Sequence, residues 1–218
     1  MSVSPVYDDD PQQGDLGIGR REQILNAAQK LFALRGYRET NLNDVALGLG
    51  FRRQAVYHYF RSKDEILYEL MLRAGHAVDR SSQSALSEQL PPEEALHRIV
   101  RNHVLELLNN IEVFRIQFSE LPKLSGERAD QLRAEQAAYV KRIADVIVAG
   151  QRCGVFREVP PMAHALLIVG MCNWTTEWFS DGRSQVGGQE VAEYAARLAV
   201  SGISMSPGGP TPKHNAAC

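Results

Sequence analysis

Five side chains within one seven-residue span carry the chemistry most open to interpretation in this sequence: Arg52, Arg53, Gln54, Tyr57 and His58. Positions 53, 54, 57 and 58 are related by steps of one and four, so on a helix they form a single stripe. Two guanidiniums, an amide, a phenol and an imidazole make a poor core face. They make a good face for a DNA major groove, where Arg pairs bidentately with guanine, Gln with adenine, and hydroxyls reach phosphate. A solvated basic helix face is the plainer alternative. The helix–glycine turn–helix arrangement around the stripe favours the DNA reading.

Three short helices must position that stripe. Ile24, Leu25, Ala28, Leu31 and Phe32 recur at helical spacing and give a first helix one buried face, closed by Gly36 as a C′ glycine. Thr40 and Asn41 are N-cap candidates for the second helix; with Asn41 as cap, Asp44 stands where a capping-box acid reaches back. Leu42, Val45 and Ala46 face inward, and Gly48 and Gly50 bracket the turn. A third helix is expected from about Phe51, with Phe51, Val56 and Phe60 packed down and the polar stripe left outside.

The order A-x-x-L-F-x-x-x-G-Y (Ala28 to Tyr37), T-N-L-N-D-V-A (Thr40 to Ala46) and G-x-x-x-x-x-V-Y-x-Y-F-x-S-K-x-E-I-L (Gly50 to Leu67) resembles the TetR family of transcriptional regulators over about the first third of the chain. The resemblance implies phosphate contacts from Thr40, Asn41, Asn43, Tyr57, His58 and Lys63, and base reading by Arg52, Arg53 and Gln54. Arg52 stands where the family usually has Ser or Thr, and Gln54 where it often has a small residue. An operator sequence therefore does not carry over from a relative.

Charge supports a polyanion partner independently. Arg20 to Lys63 holds nine lysines and arginines against three acids, while the whole chain has a formal net charge of −2 and a pI near 6.3. The positive charge is gathered in one small region, the footprint of a nucleic-acid contact. Residues 1–19 form an acidic leader expected to be disordered, and the Pro/Gly-rich residues 205–218 a disordered tail.

The rest reads as helices. A fourth is expected from Lys63 to about Asp79, followed by a loop over Ser81–Pro92 and a fifth helix from Pro91-Pro92-Glu93. Ile111–Leu121, Glu127–Arg152, a segment opening at Pro160-Pro161 and one beginning at Val191 complete the set. No strand alternation appears, so the fold class is all-α: a helix-turn-helix DNA-binding head (20–66) joined through a shared fourth helix to a larger ligand-binding and dimerisation domain (67–204). The eighth helix is apolar on nearly every side, which requires cover on both faces. Small residues at 192, 195, 196 and 199 permit close helix approach, so the last two helices are expected to build a homodimer interface.

The family resemblance places a small-molecule pocket in the second domain. Its candidate lining is His103, Leu107, Phe114, Phe118, Tyr139, Ile143, Met171, Trp174 and Trp178, an aromatic and Met-rich set suited to a hydrophobic effector. The run from Arg133 through Tyr139-Val140-Lys141 to Gly154-Val155-Phe156, with W-x-x-x-W-F-x-x-G after it, looks more loosely like members that sense acyl-CoA thioesters. On that basis Arg115, Lys141 or Arg142 would meet anionic phosphates at the pocket mouth.

Three cysteines, widely spaced and without C-x-x-C, indicate neither a disulfide framework nor a zinc site. No metal or cofactor is expected, no catalytic pairing of acid, base and nucleophile emerges, and the expected location is cytoplasmic, with no membrane span. The resulting expectation is a ligand-responsive dimeric repressor of a palindromic double-stranded DNA operator. An activator, or an architectural or cell-division DNA-binding protein of the same fold without an inducer, remains open.

Overall fold

The computed structural model describes residues 19–121, 125–180 and 184–205. The expected leader (except Gly19), the tail from 206 onward, the helix stop at Pro122 and residues 181–183 of the glycine-rich loop lie outside the described residues. Among those described the chain is all-α, with nine helices and one isolated antiparallel bridge, Phe156 to Ser204. It divides into two compact units between Ile66 and Leu67.

The first unit holds α1 (Arg20–Arg35), α2 (Leu42–Leu49), α3 (Arg53–Tyr59) and the start of α4 (Lys63–Ser87). Its core is Ile24, Leu25, Ala28 and Phe32 of α1, Leu42, Val45 and Ala46 of α2, and Val56 and Phe60. Gly36 ends α1 at φ +88°, its N–H bonded to the Phe32 carbonyl at 3.0 Å. Asn41 caps α2 in a capping box: its side chain accepts from the Asn43 and Asp44 N–H groups, and Asp44 accepts from the Asn41 N–H at 2.8 Å. Gly50 takes the left-handed conformation at φ +66° that a side chain with a Cβ adopts only with strain. The turn there is sharp, and α3 begins at Arg53, with Arg52 as its N-cap, two residues later than the spacing suggested.

In the second unit α5 (Pro92–Asn109) is central, packing against α7 (Glu127–Arg152), α8 (Pro161–Trp178) and α9 (Gly188–Ser201); α6 (Ile111–Glu120) packs against α5 and α8. Leu96, Ile99, Val104, Leu107, Ile143 and Ile147 are fully buried there. Gly150 is required by packing: a Cβ on it would sit 2.0 Å from the Phe156 ring.

Three expectations change. Helix α4 continues through the serine-rich stretch to Ser87 instead of ending near Asp79. The hydroxyls of Ser81, Ser82 and Ser87 bond carbonyls three residues back, each at 2.8 Å, and Ala85 is fully buried, so the polar run is satisfied within the helix. The small residues of α9 do not lie on an open face: Ala192, Ala195, Ala196 and Ala199 are buried, and α9 packs on α5. Cys153 is disulfide-bonded, which its spacing did not indicate, whereas Cys172 is buried and free.

Candidate nucleic-acid interface and effector cavity

The αL turn at Gly50 and the N-cap at Arg52 orient α3 so that only Val56 of the helix is buried. Arg52, Arg53, Gln54, Tyr57 and His58 are all exposed. Arg53 donates to the Tyr57 hydroxyl at 3.1 Å and its guanidinium lies 5.0 Å from the Tyr57 ring centroid, a pairing one helical turn apart that pre-orders both side chains. The structure thus brings the expected base-reading residues together on one open face.

Three residues expected at phosphates are engaged otherwise. Thr40 is 1% exposed, and its hydroxyl donates to the Gly36 carbonyl at 2.9 Å, so it closes the α1–α2 turn. The Asn41 oxygen is occupied by the capping box, though the residue as a whole is exposed. Lys63 is half-buried, and its ammonium donates to the carbonyls of Tyr37 (3.0 Å), Arg38 (2.9 Å) and Thr40 (3.1 Å) while lying 4.7 Å from the Tyr37 ring centroid. An ammonium has three donors, and all three are spent on this turn. Asn43 is half-buried on α2, its side-chain oxygen covered and without a hydrogen-bond partner. Nothing in its spacing distinguishes Lys63 the latch from Lys63 the phosphate contact; the difference is tertiary.

A cavity of about 670 Å³ lies in the second unit among α4, α5, α6, α7 and α8. His103, Leu107, Phe114, Phe118 and Tyr139, five of the nine expected lining residues, border it. Ile143 is instead in the core, fully buried, and Met171 does not reach the cavity. Trp174 and Trp178 also do not line it: they are 65% and 48% exposed, on the outer face of α8 with Leu167. Helical apolarity alone could not assign the tryptophans, because the buried face of α8 is made by smaller residues, Ala165, Ile168, Cys172, Thr175 and Thr176. Sequence reasoning missed Gln117, Asn173, Asp79 and Met162, all of which border the cavity.

One wall carries a buried polar relay. His103 Nδ1 is 2.7 Å from the Tyr139 hydroxyl and His103 Nε2 is 3.3 Å from Asn173 Oδ1. Burial lowers the His103 pKa to about 4 against a smaller opposing effect of the Asn173 hydrogen bond, and burial pushes the Tyr139 phenol well above its usual range. The imidazole is therefore neutral at physiological pH. Asn173 Oδ1 cannot donate, so Nε2–H donates to it and Nδ1 accepts from the Tyr139 O–H.

The arginines expected to meet phosphates are already bound. Arg115 donates to the carbonyls of Thr176 (2.7 Å) and Phe179 (3.2 Å) at the end of α8 and pairs with Glu112 at 2.9 Å. Lys141 pairs with Asp145 at 2.7 Å on the surface, and Arg142, at the cavity, pairs with Asp79. Among the described residues no cluster of three or more His, Cys, Asp or Glu could hold a metal ion, and no helix is long and apolar enough to cross a membrane.

A helix-turn-helix unit with an open basic stripe, carried by a chain whose second unit holds a mainly apolar cavity, defines the class of helical DNA-binding regulators. Residues 24–70 match the model of bacterial regulatory proteins of the tetR family, and residues 89–203 that of the tetracyclin repressor-like C-terminal domain. The chain belongs to the TetR family of transcriptional regulators. It is 23% identical over 198 residues to the HTH-type transcriptional repressor KstR2 of Mycolicibacterium smegmatis, covering 87% of this chain and 93% of that protein. The TetR-family regulator PfmR of Thermus thermophilus superposes with a TM-score of 0.75 at 32% identity, over 82% of this chain and 97% of PfmR. The fold is also shared with AibR, solved in complex with isovaleryl coenzyme A and operator DNA (TM-score 0.73, 22% identity, 82% and 97% covered).

Proposed function

We propose that the chain works as a homodimeric repressor, its residues 20–66 holding a palindromic operator and its residues 67–204 dimerising and receiving a hydrophobic effector that releases the DNA. The observation that carries the DNA part is the open stripe on α3: Arg52, Arg53 and Gln54 stand outside the core on a helix fixed by the Gly50 turn. In the proposed dimer two such helices lie one DNA turn apart, roughly 34–36 Å. Arg52, Arg53 and Gln54 read bases, while Asn41, Tyr57 and His58 contact phosphates.

Dimerisation is supported by the exposed apolar residues Leu167, Trp174 and Trp178 of α8 and Tyr194 and Leu198 of α9. An unpartnered patch of that kind marks an association surface. The mainly apolar cavity supports an inducible regulator over an architectural protein, which needs none. An effector moves the equilibrium only by its differential affinity for the DNA-bound and free states. The relatives extend the reading: KstR2 is named a repressor, and AibR was solved with an acyl-CoA, so acyl-CoA thioesters and fatty acids head the candidate effectors.

The test is a gel shift on DNA upstream of the protein's own gene, repeated with acyl-CoAs, fatty acids and neutral lipids. A retarded band that is lost with one ligand class supports the proposal. Failure to retard any duplex at low salt overturns the DNA reading, and retardation that no ligand alters overturns the effector reading.

A further inference from the structure

The wall that α8 gives the cavity ends in an amide. Met162, Leu166, Val169 and Asn173 border the cavity and follow one another by steps of four, three and four, so they make one face of the helix. The first three are apolar. Asn173 is half-buried, and its Oδ1 faces His103 Nε2 at 3.3 Å. Its Nδ2 bonds nothing among the described residues. Nor is that nitrogen covered: the covered side-chain atoms without a partner are Asn43 Oδ1, Asp79 Oδ1, Gln117 Oε1 and Arg142 Nε. An amide that spends only its oxygen on the protein keeps its N–H donors for whatever fills the space beside it.

The relay fixes which end of this amide looks outward. The Tyr139 O–H donates to His103 Nδ1, 2.7 Å away, so the neutral imidazole carries its proton on Nε2 and gives it to the Asn173 oxygen. The opposite rotation of the amide would put an N–H against Nε2 and move the imidazole proton to Nδ1. The Tyr139 hydroxyl proton would then have no acceptor in the protein. Both His103 and Tyr139 are buried, and a stranded proton there carries a cost that the observed order avoids.

We infer that the effector presents an acceptor oxygen of carbonyl type to Asn173 Nδ2, and that His103 and Tyr139 are positioning residues holding this amide with its donor toward the cavity. The inference rests on the cavity being the effector site. Such an oxygen is shared by neutral carbonyl compounds, ketones and esters among them, and by carboxylates, and Arg142 at the same cavity suits the second.

Three probes sharing one octyl chain separate the outcomes on the full-length protein: 2-decanone, 2-methyl-1-decene and nonanoate. The alkene replaces the ketone oxygen by a CH₂ of similar size; the acid replaces the methyl group by a second oxygen and is an anion. Affinities are read from the rise in melting temperature with ligand concentration. The deciding quantity is the ketone-to-alkene affinity ratio, because the cost of desolvating the ketone is common to all variants. In Asn173→Leu this ratio is expected to fall about fivefold, the weight of one neutral hydrogen bond, with alkene binding retained. Asn173→Asp removes the donor at nearly unchanged shape and repeats the comparison should the leucine variant fold poorly. Tyr139→Phe leaves Asn173 in place but frees the imidazole tautomer, so the ratio is expected to fall there too; a merely structural tyrosine would weaken both probes alike. Nonanoate binding tighter than the ketone, and losing affinity in Asn173→Leu, assigns the oxygen to a carboxylate; the ketone binding tighter assigns it to a neutral carbonyl. A ratio unchanged in the Asn173 variants overturns the inference and leaves the cavity reading standing. A ratio that falls in them but not in Tyr139→Phe overturns the positioning role. Binding by none of the three probes overturns the inference and the cavity reading together.

Discussion

Replacing Lys63 by Met tests whether this residue is a structural latch or a phosphate contact. The substitution keeps the apolar stem and removes three donors, held 2.9–3.1 Å from the carbonyls of Tyr37, Arg38 and Thr40. A hydrogen bond from a charged group is worth roughly 1.5–3 kcal/mol. The site is only half-buried and water can replace part of the loss, so the net cost for the three together is about 2 kcal/mol. The cation–π contact with Tyr37, 4.7 Å to the centroid, falls within that figure, since effects sharing one group do not add. The first unit should then open roughly 30-fold more often, read as faster amide hydrogen exchange in α1 and α2. DNA affinity should stay close to the wild-type value with its salt dependence unchanged, because a unit that opens roughly 30-fold more often is still folded nearly all the time. A residue that neutralised a phosphate would behave differently: its loss would flatten the slope of log K against log salt by about 0.9 per protomer. A flattened slope with unchanged exchange refutes the latch.

Three further outcomes are expected. Arg53→Ala should lose roughly 1–3 kcal/mol on the cognate operator with little change on non-specific DNA; equal loss on all sequences removes Arg53 from the base readers. Trp174→Glu should weaken the proposed dimer by about 2–4 kcal/mol, giving monomer by analytical ultracentrifugation at concentrations where the wild type is dimeric. His103 binds its proton less readily folded than unfolded, with a pKa of about 4 against 6.5. Its contribution to stability is therefore complete above pH 6.5 and lost as pH falls toward 4, by roughly 3 kcal/mol in all. Thermal melts of His103→Gln should lack that part of the acid dependence; an identical pH profile would show that His103 titrates freely.

Much of the molecule was legible because local rules fix it. The capping box at Asn41 and Asp44, the glycines at 36 and 50 and the inward residues of α1 and α2 follow from capping chemistry, positive φ and helical period, all of which act within a few residues. The stripe on α3 was legible for the same reason: with Val56 inward, residues 53, 54, 57 and 58 are left outside. These features needed no knowledge of what lies across the fold.

What the sequence could not decide is what each side chain meets from distant parts of the chain. Lys63 and Thr40 have the right types for phosphate contacts, yet their partners, the carbonyls of residues 36 to 40, absorb them. Trp174 and Trp178 stand a turn apart on an apolar helix, and only the packing of α8 on α5 and α7 put them outside. Gln117 was not among the expected lining residues, and only the packing of α6 left its amide oxygen covered beside a cavity. The sequence by itself determined the helices, their caps and the family, because short-range sterics and hydrogen bonding set those. The tertiary structure alone decided which polar groups are already satisfied, because that depends on residues far apart along the chain.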